Sequence, residues 1–212
     1  MDATAPSPAS AFTESPVDAQ YDFDIRSDWT LIAEPEELTP IILDPELLPL
    51  WCPSAFLKGE LLDPGDSTGL GMRMLVRSKG ILPHTFFFIG AIVYVEPHRA
   101  MQITARGDFD GLCDMRVMPN GDGTCDADFR WRINIRQPYI RPLVPALRPV
   151  FLWNHRAMMR RVHRQFQQEI DRRRRGSNRF TQETATFPHN IPFFRRTWKR
   201  IGASVLSQRT VE

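Results

Sequence analysis

The sequence predicts an α+β fold in which a curved antiparallel sheet of about seven strands wraps around one long C-terminal helix. Three observations predict it. From residue 55 to 136, short apolar or alternating runs are separated by turns rich in Pro, Gly, Asp and Asn. From Val150 to Arg174 the period becomes helical: Phe151, His155, Met158, Met159, Val162, Phe166 and Ile170 share one side, with Arg156, Arg160, Arg164, Gln167 and Asp171 roughly opposite. Consecutive strands joined by short turns pair antiparallel, and a lone amphipathic helix must bury its stripe on the sheet they form. A twisted sheet around one helix leaves a cavity wherever the two do not interdigitate.

The elements follow in the order strand, two short helices, six strands, long helix. Residues 1–20 are rich in Ala, Pro, Ser and Asp and cannot bury enough apolar surface to offset ordering entropy, so a disordered leader is expected. The ordered domain is expected over 21–175. Trp29 to Ala33 reads as a strand. Glu34-Pro35-Glu36-Glu37 starts a helix whose buried side is Leu38, Ile41 and Ile42. Asp44 is a plausible N-cap for a second short helix ending at Trp51. The strands are expected over 55–62, 71–78, 84–95, 100–107, 112–118 and 125–136. The last alternates cleanly, with Phe129, Trp131, Ile133 and Ile135 on one face and Asp128, Arg130, Arg132 and Asn134 on the other. Pro119-Asn120-Gly121-Asp122-Gly123 marks the hairpin before it. The strand over 84–95 is apolar on both faces, so its inward parity is open.

The totals are ordinary for one globular domain with tails: 212 residues, 42% hydrophobic and 25% charged. A formal net charge of +2 gives no reason to expect a nucleic-acid partner. Three sparse cysteines, Cys52, Cys113 and Cys125, have neither disulfide nor zinc spacing, which points to free thiols and a cytoplasmic setting. The N-terminus lacks the features of a secretory signal, and no apolar run is long enough to span a bilayer. A phosphate loop, a nucleophile elbow and an HExxH motif are all absent, so neither cofactor nor metal is expected.

Three stretches resemble the START-like (SRPBCC, helix-grip) superfamily, in its polyketide cyclase/dehydrase and lipid transport branch. They are "WTLIAEPEEL…DPELLPLW" over 29–51, the run from Leu70 to Gly111 with its Gly-Asp-Phe-x-Gly turn, and "FLWNHRAMMRRVHRQF" over 151–166. Their order and spacing carry the match across about residues 23–174. The resemblance implies a helix-grip fold and an internal cavity. Members of the family bind lipids, polyketides, quinones and hormones, and some are catalysts. The region after Arg175 departs from the family pattern.

Within that fold, Met72, Met74, Phe86, Phe88, Phe129, Trp131 and Ile133 are candidate cavity walls on the sheet. Phe151, His155, Met158, Met159 and Val162 are candidates on the helix. His155 interrupts the apolar stripe. It reads as a polar anchor or acid/base facing the cavity, or alternatively as a core histidine bonded to a backbone carbonyl or to Asn154. Asn154 is off the stripe and reads as structural. His84 is either a solvent-exposed strand-end residue or a residue at the cavity mouth. Arg106 is a candidate for a ligand carbonyl or carboxylate. Asp108 and Asp110 read as turn caps and a surface ion pair around Gly107 rather than as paired catalytic carboxylates.

Residues 176–212 form a basic C-terminal extension. The stretch 191–206 mixes aromatics with cations, which suits a peripheral membrane contact, or alternatively a segment packed back on the domain over Trp153. The expected partner is an apolar small molecule such as a lipid, isoprenoid or polyketide, bound and in one version transported. The alternative is a cyclase/dehydratase-type enzyme using His155. Oligomeric state is not legible.

Overall fold

A computed structural model describes residues 20–180 and 183–191. Seven strands form one antiparallel sheet in the order β1-β7-β6-β5-β4-β3-β2. β1 spans Phe23–Leu31, and the chain then makes α1 (Pro35–Ile42), a 3-10 turn (Pro45–Leu47) and α2 (Leu48–Trp51). Six strands follow without interruption: β2 (Phe56–Asp63), β3 (Arg73–Lys79), β4 (Thr85–Glu96), β5 (Ala100–Gly107), β6 (Phe109–Pro119) and β7 (Cys125–Ile135). α3 runs from Val144 to Arg174 and is 31 residues long. This is the α+β helix-grip architecture read from the sequence.

Several boundaries differ from the sequence reading. β1 starts at Phe23 rather than Trp29. Its alternation of Phe23, Ile25, Trp29 and Leu31 against Asp24, Arg26 and Asp28 puts the apolar set in the core, paired in register with β7. β6 starts at Phe109 rather than Leu112, because Gly107 turns the chain tightly. Gly107 has φ of 155°, and a Cβ there would stand 2.4 Å from the Phe87 carbonyl oxygen. α3 starts at Val144 rather than Val150. Pro145 lies in the first turn, where a proline removes no helical hydrogen bond, and Pro149 is accommodated inside the helix. Asp44 occupies the expected cap position but makes no side-chain capping bond.

The inward parity of β4 is Phe86, Phe88, Gly90 and Ile92, while Ile89 and Val93 are exposed on the outer face. The helix is pinned to the sheet through its C-terminal half. Phe166 packs against Trp29 and Trp51, with ring centroids 6.1 and 5.4 Å away. His163 stacks on Trp29 at 5.2 Å. Gln167 brackets the Ile32 backbone, accepting from its N–H at 2.9 Å and donating to its carbonyl at 3.1 Å. Of the basic run Arg172 to Arg175 at the helix end, three members pair locally: Arg172 and Arg173 with buried Glu169, and Arg174 with Glu37.

Beyond the helix, residues 183–191 return to the domain along the end of β3. The buried Lys79 ammonium donates to the Thr186 and Phe187 carbonyls, both at 2.8 Å. Thr186 Oγ1 donates to the Gly80 carbonyl at 2.9 Å. Glu183 accepts from Arg164 at 2.7 Å and from buried Gln165 at 2.5 Å. Apart from Ile191, the stretch 191–206 lies outside the described residues.

Candidate functional site

A cavity of about 320 Å³ lies between the concave face of the sheet and α3. The strand period of two sends every second side chain of β4, β6 and β7 into it. Phe86 and Phe88 come from β4, Phe109 from β6, and Phe129, Trp131 and Ile133 from β7. Phe109 sits at the centre of this wall, its ring centroid 5.7 Å from Phe86, 4.8 Å from Phe88 and 6.3 Å from Trp131. From the other side, α3 presents Phe151, His155, Met158, Met159 and Val162. Aromatic rings and flexible thioethers make an apolar surface that can adapt to shape.

The polar lining gathers at one end, where β3 turns into β4 beside the N-terminal part of the helix. Asn154 is spent on architecture. Its Oδ1 accepts from the Ile81 and Leu82 amides at 2.7 and 3.0 Å, and its side chain packs on Gly80, where a Cβ would come within 2.2 Å of Nδ2. Lys79 lines the same end, but its ammonium is committed to the Thr186 and Phe187 carbonyls. Burial, with Arg77 nearby, pushes its pKa down to about 8. His84 lines the cavity with its ring edge-on to Phe86 at 4.9 Å and Phe151 at 5.9 Å. Burial lowers its pKa, and the Lys79 charge lowers it further.

His155 differs from these neighbours, because its Nε2 is buried and no group among the described residues hydrogen-bonds to it. Burial, reinforced by Arg156, pushes its pKa down to about 4, so the ring is neutral at pH 7. A neutral imidazole nitrogen can donate or accept one hydrogen bond according to its tautomer. A second buried polar atom without a protein partner, Trp51 Nε1, belongs to a residue lining the far end, where Trp51 meets Phe166. Phe166 follows His155 by three helical turns, a rise of roughly 16 Å. The cavity is therefore long, apolar along its middle, and marked by one unmatched polar atom toward each end. Among the described residues, no group of His, Cys, Asp and Glu is arranged to hold a metal ion.

The structure brings most of the sequence candidates together. Met74, Phe86, Phe88, Phe129, Trp131, Ile133, Phe151, His155, Met158, Met159 and Val162 all line the cavity. Two candidates do not. Met72 is buried before β3 begins and does not reach the cavity wall, and Arg106 is exposed on the outer face, opposite Ile89. The expectation of an exposed His84 is also corrected, since its ring lies against Phe151 on the wall. Asp108 is no surface cap: it is buried, and it accepts from the Phe87 amide at 2.8 Å and from Gln137. Asp110 does form the expected ion pair, with Arg136 at 2.7 Å.

Sequence reasoning misses Phe109, Trp51 Nε1 and the clamp on Gly80. Phe109 reads as part of a turn, and only the alternation Phe109, Cys113, Met115, Val117 could recover it. Nothing local announces the other two.

The comparisons agree with the fold. The family model for polyketide cyclase/dehydrase and lipid transport proteins matches residues 23–172. No curated protein matches the sequence. Among solved structures, a START superfamily protein from Mycobacterium smegmatis is similar at 16% identity. The match covers 70% of this chain and 97% of that one, with a TM-score of 0.54. A protein from Thermus thermophilus aligns at 11% identity over 69% of this chain and 98% of its own, also at 0.54. Norcoclaurine synthase from Thalictrum flavum aligns at 15% identity over 70% and 86%, at 0.50. At these identities the likeness is one of fold.

Proposed function

Because the chain belongs to the polyketide cyclase/dehydrase and lipid transport family, we propose that its cavity takes up an uncharged, largely apolar small molecule whose polar group meets His155. The observation that carries this is the His155 Nε2, buried in an apolar enclosure with no protein partner. A buried polar atom left unmatched costs about 1–3 kcal/mol, which a ligand hydroxyl or carbonyl recovers on binding. A charged ligand finds no compensation here, since the Lys79 ammonium is already committed. Size narrows the class further. An apolar cavity of about 150 Å³ accommodates a benzene ring, so about 320 Å³ suits two rings or one short chain. A cytosolic setting belongs to the same reading, supported by three free and buried cysteines.

Binding is better supported than acid–base catalysis. A general base works best with a pKa near the working pH. Moving His155 from 6.5 to about 4 makes its protonation harder by about 3 kcal/mol. The enzyme reading, a cyclase or dehydratase step through His155, requires a substrate that restores that basicity.

The test is native purification followed by denaturing mass spectrometry, with thermal shift against 1-naphthol, 2-naphthoate and palmitate. Recovery of an apolar compound, or stabilisation by naphthol exceeding that by naphthoate, supports the reading. A ligand at a hundred times its Kd adds about 2.7 kcal/mol. Met159→Trp, which fills the cavity from the helix side, should abolish that gain in a folded protein. A chain that carries nothing and responds to no panel member is not a cavity binder.

A further inference from the structure

The start of α3 is anchored by buried Val144 and by the Arg148 guanidinium over the Phe23 ring at 5.8 Å, yet most of it is exposed in a way the cavity does not explain. Residues 145–150 are all exposed, although the segment is helical and rich in apolar side chains. Tyr139, Leu143, Leu147, Val150 and Trp153 are 61%, 46%, 38%, 41% and 53% exposed. Tyr139 lies in the turn before the helix, Leu143 closes the 3-10 segment Arg141–Leu143, and Leu147, Val150 and Trp153 follow on α3, so that exposed apolar side chains recur every three or four residues along this stretch. Val150 and Trp153 project from a different side of α3 than the cavity-lining Phe151, His155 and Met158, while Leu147 lies one turn before Phe151 at the exposed end of their side. Val150 and Trp153 are therefore not a misplaced part of the core.

Charge says what such a surface meets. Between Asp128 and Glu169 the sequence has no acidic residue and nine arginines. Arg130, Arg132, Arg136 and Arg164 are taken by Asp24, Asp114, Asp110 and Glu183. Arg141, Arg148, Arg156, Arg160 and Arg161 make no salt bridge among the described residues, and all but Arg161 are exposed. An apolar row with an indole in it, flanked by guanidinium groups that no carboxylate neutralises, matches an anionic bilayer surface. The ring and aliphatic groups enter the acyl boundary while the cations meet phosphate headgroups.

We propose that the segment Tyr139 to Trp153, which leads into and opens α3, with its neighbouring arginines, is a docking surface for anionic phospholipid bilayers. It holds the polar end of the cavity, at Asn154 and His155, next to the membrane. The surface is a different one from the C-terminal stretch 191–206, and the proposal stands whatever the cavity carries.

The experiment is sedimentation of the full chain with sucrose-loaded vesicles, either pure phosphatidylcholine or phosphatidylcholine with phosphatidylglycerol. Wild type should pellet with the anionic vesicles, much less with the neutral ones, and less as salt is raised. Leu147→Glu/Trp153→Glu should lower the partition coefficient roughly tenfold or more. Arg148→Gln/Arg156→Gln should weaken anionic binding and flatten its salt dependence. All of these positions are exposed, so an unchanged melting temperature shows that each variant is folded. Equal pelleting of wild type and the Leu147/Trp153 variant overturns the proposal, as does absence of binding to anionic vesicles. A wild-type dimer in analytical ultracentrifugation that the same variant dissociates also overturns it, by assigning the row to self-association.

Discussion

Replacing His155 with leucine should make the protein less sensitive to acid. The imidazole is neutral in the folded chain, with its pKa pushed from 6.5 to about 4 by burial and by Arg156. In the unfolded chain it returns to about 6.5. Between those two values the unfolded state binds more protons, so stability falls as pH falls. The full effect, reached near pH 4, is a loss of about 3 kcal/mol relative to neutral pH, at up to about 1.4 kcal/mol per pH unit. Leucine fills a similar volume, removes the unmatched Nε2 and does not titrate. At pH 7.5 the variant should equal or exceed wild type by about 1–2 kcal/mol. By pH 4 its advantage should widen by about 3 kcal/mol. Urea titrations at half-unit pH steps give both curves, and their difference isolates this residue. His189, whose pKa is also lowered to about 4, contributes to both chains and cancels. Parallel wild-type and variant profiles across pH 4–7 would refute the buried, neutral His155 on which the cavity argument rests.

Gly107→Ala should lower stability by about 2–4 kcal/mol in chemical denaturation, since the new Cβ stands 2.4 Å from the Phe87 carbonyl oxygen. A change below about 0.5 kcal/mol would mean that the β5–β6 corner relaxes freely. Lys79→Met should orphan the Thr186 and Phe187 carbonyls and loosen residues 183–191. Limited trypsin digestion after Arg175 and Arg179 should then run several-fold faster while the domain itself persists. Unchanged cleavage would show that Glu183 and Thr186 alone hold the segment.

The parts legible in the sequence share a property: their signal is periodic and their environment uniform along the element. β7 alternates because one face meets the cavity and the other meets water, and its predicted face is the observed one. The α3 stripe from Phe151 to Ile170 likewise faces the sheet. The misreadings fall where local chemistry competes with packing. Pro145 and Pro149 look like breaks, yet a first-turn proline is compatible with a helix. Gly107-Asp108-Phe109 looks like a surface turn, yet Asp108 is buried against the Phe87 amide and Gln137. Arg106 looks available to a ligand because parity cannot be assigned across that corner from sequence.

Composition, period and turn chemistry alone determined the element order, the antiparallel sheet, the long gripping helix and the apolar character of its inner face. These follow from short-range geometry, since side chains repeat every two residues on a strand and every 3.6 on a helix. Only the tertiary structure decided which side of β4 faces inward, that His84 joins the wall and that Lys79 is sealed under residues 183–191. It alone left the His155 and Trp51 nitrogens unmatched. Each of these depends on groups far apart in the chain meeting in a low-dielectric interior. There, whether a polar atom finds a partner is settled by the whole packing arrangement and not by its sequence neighbours.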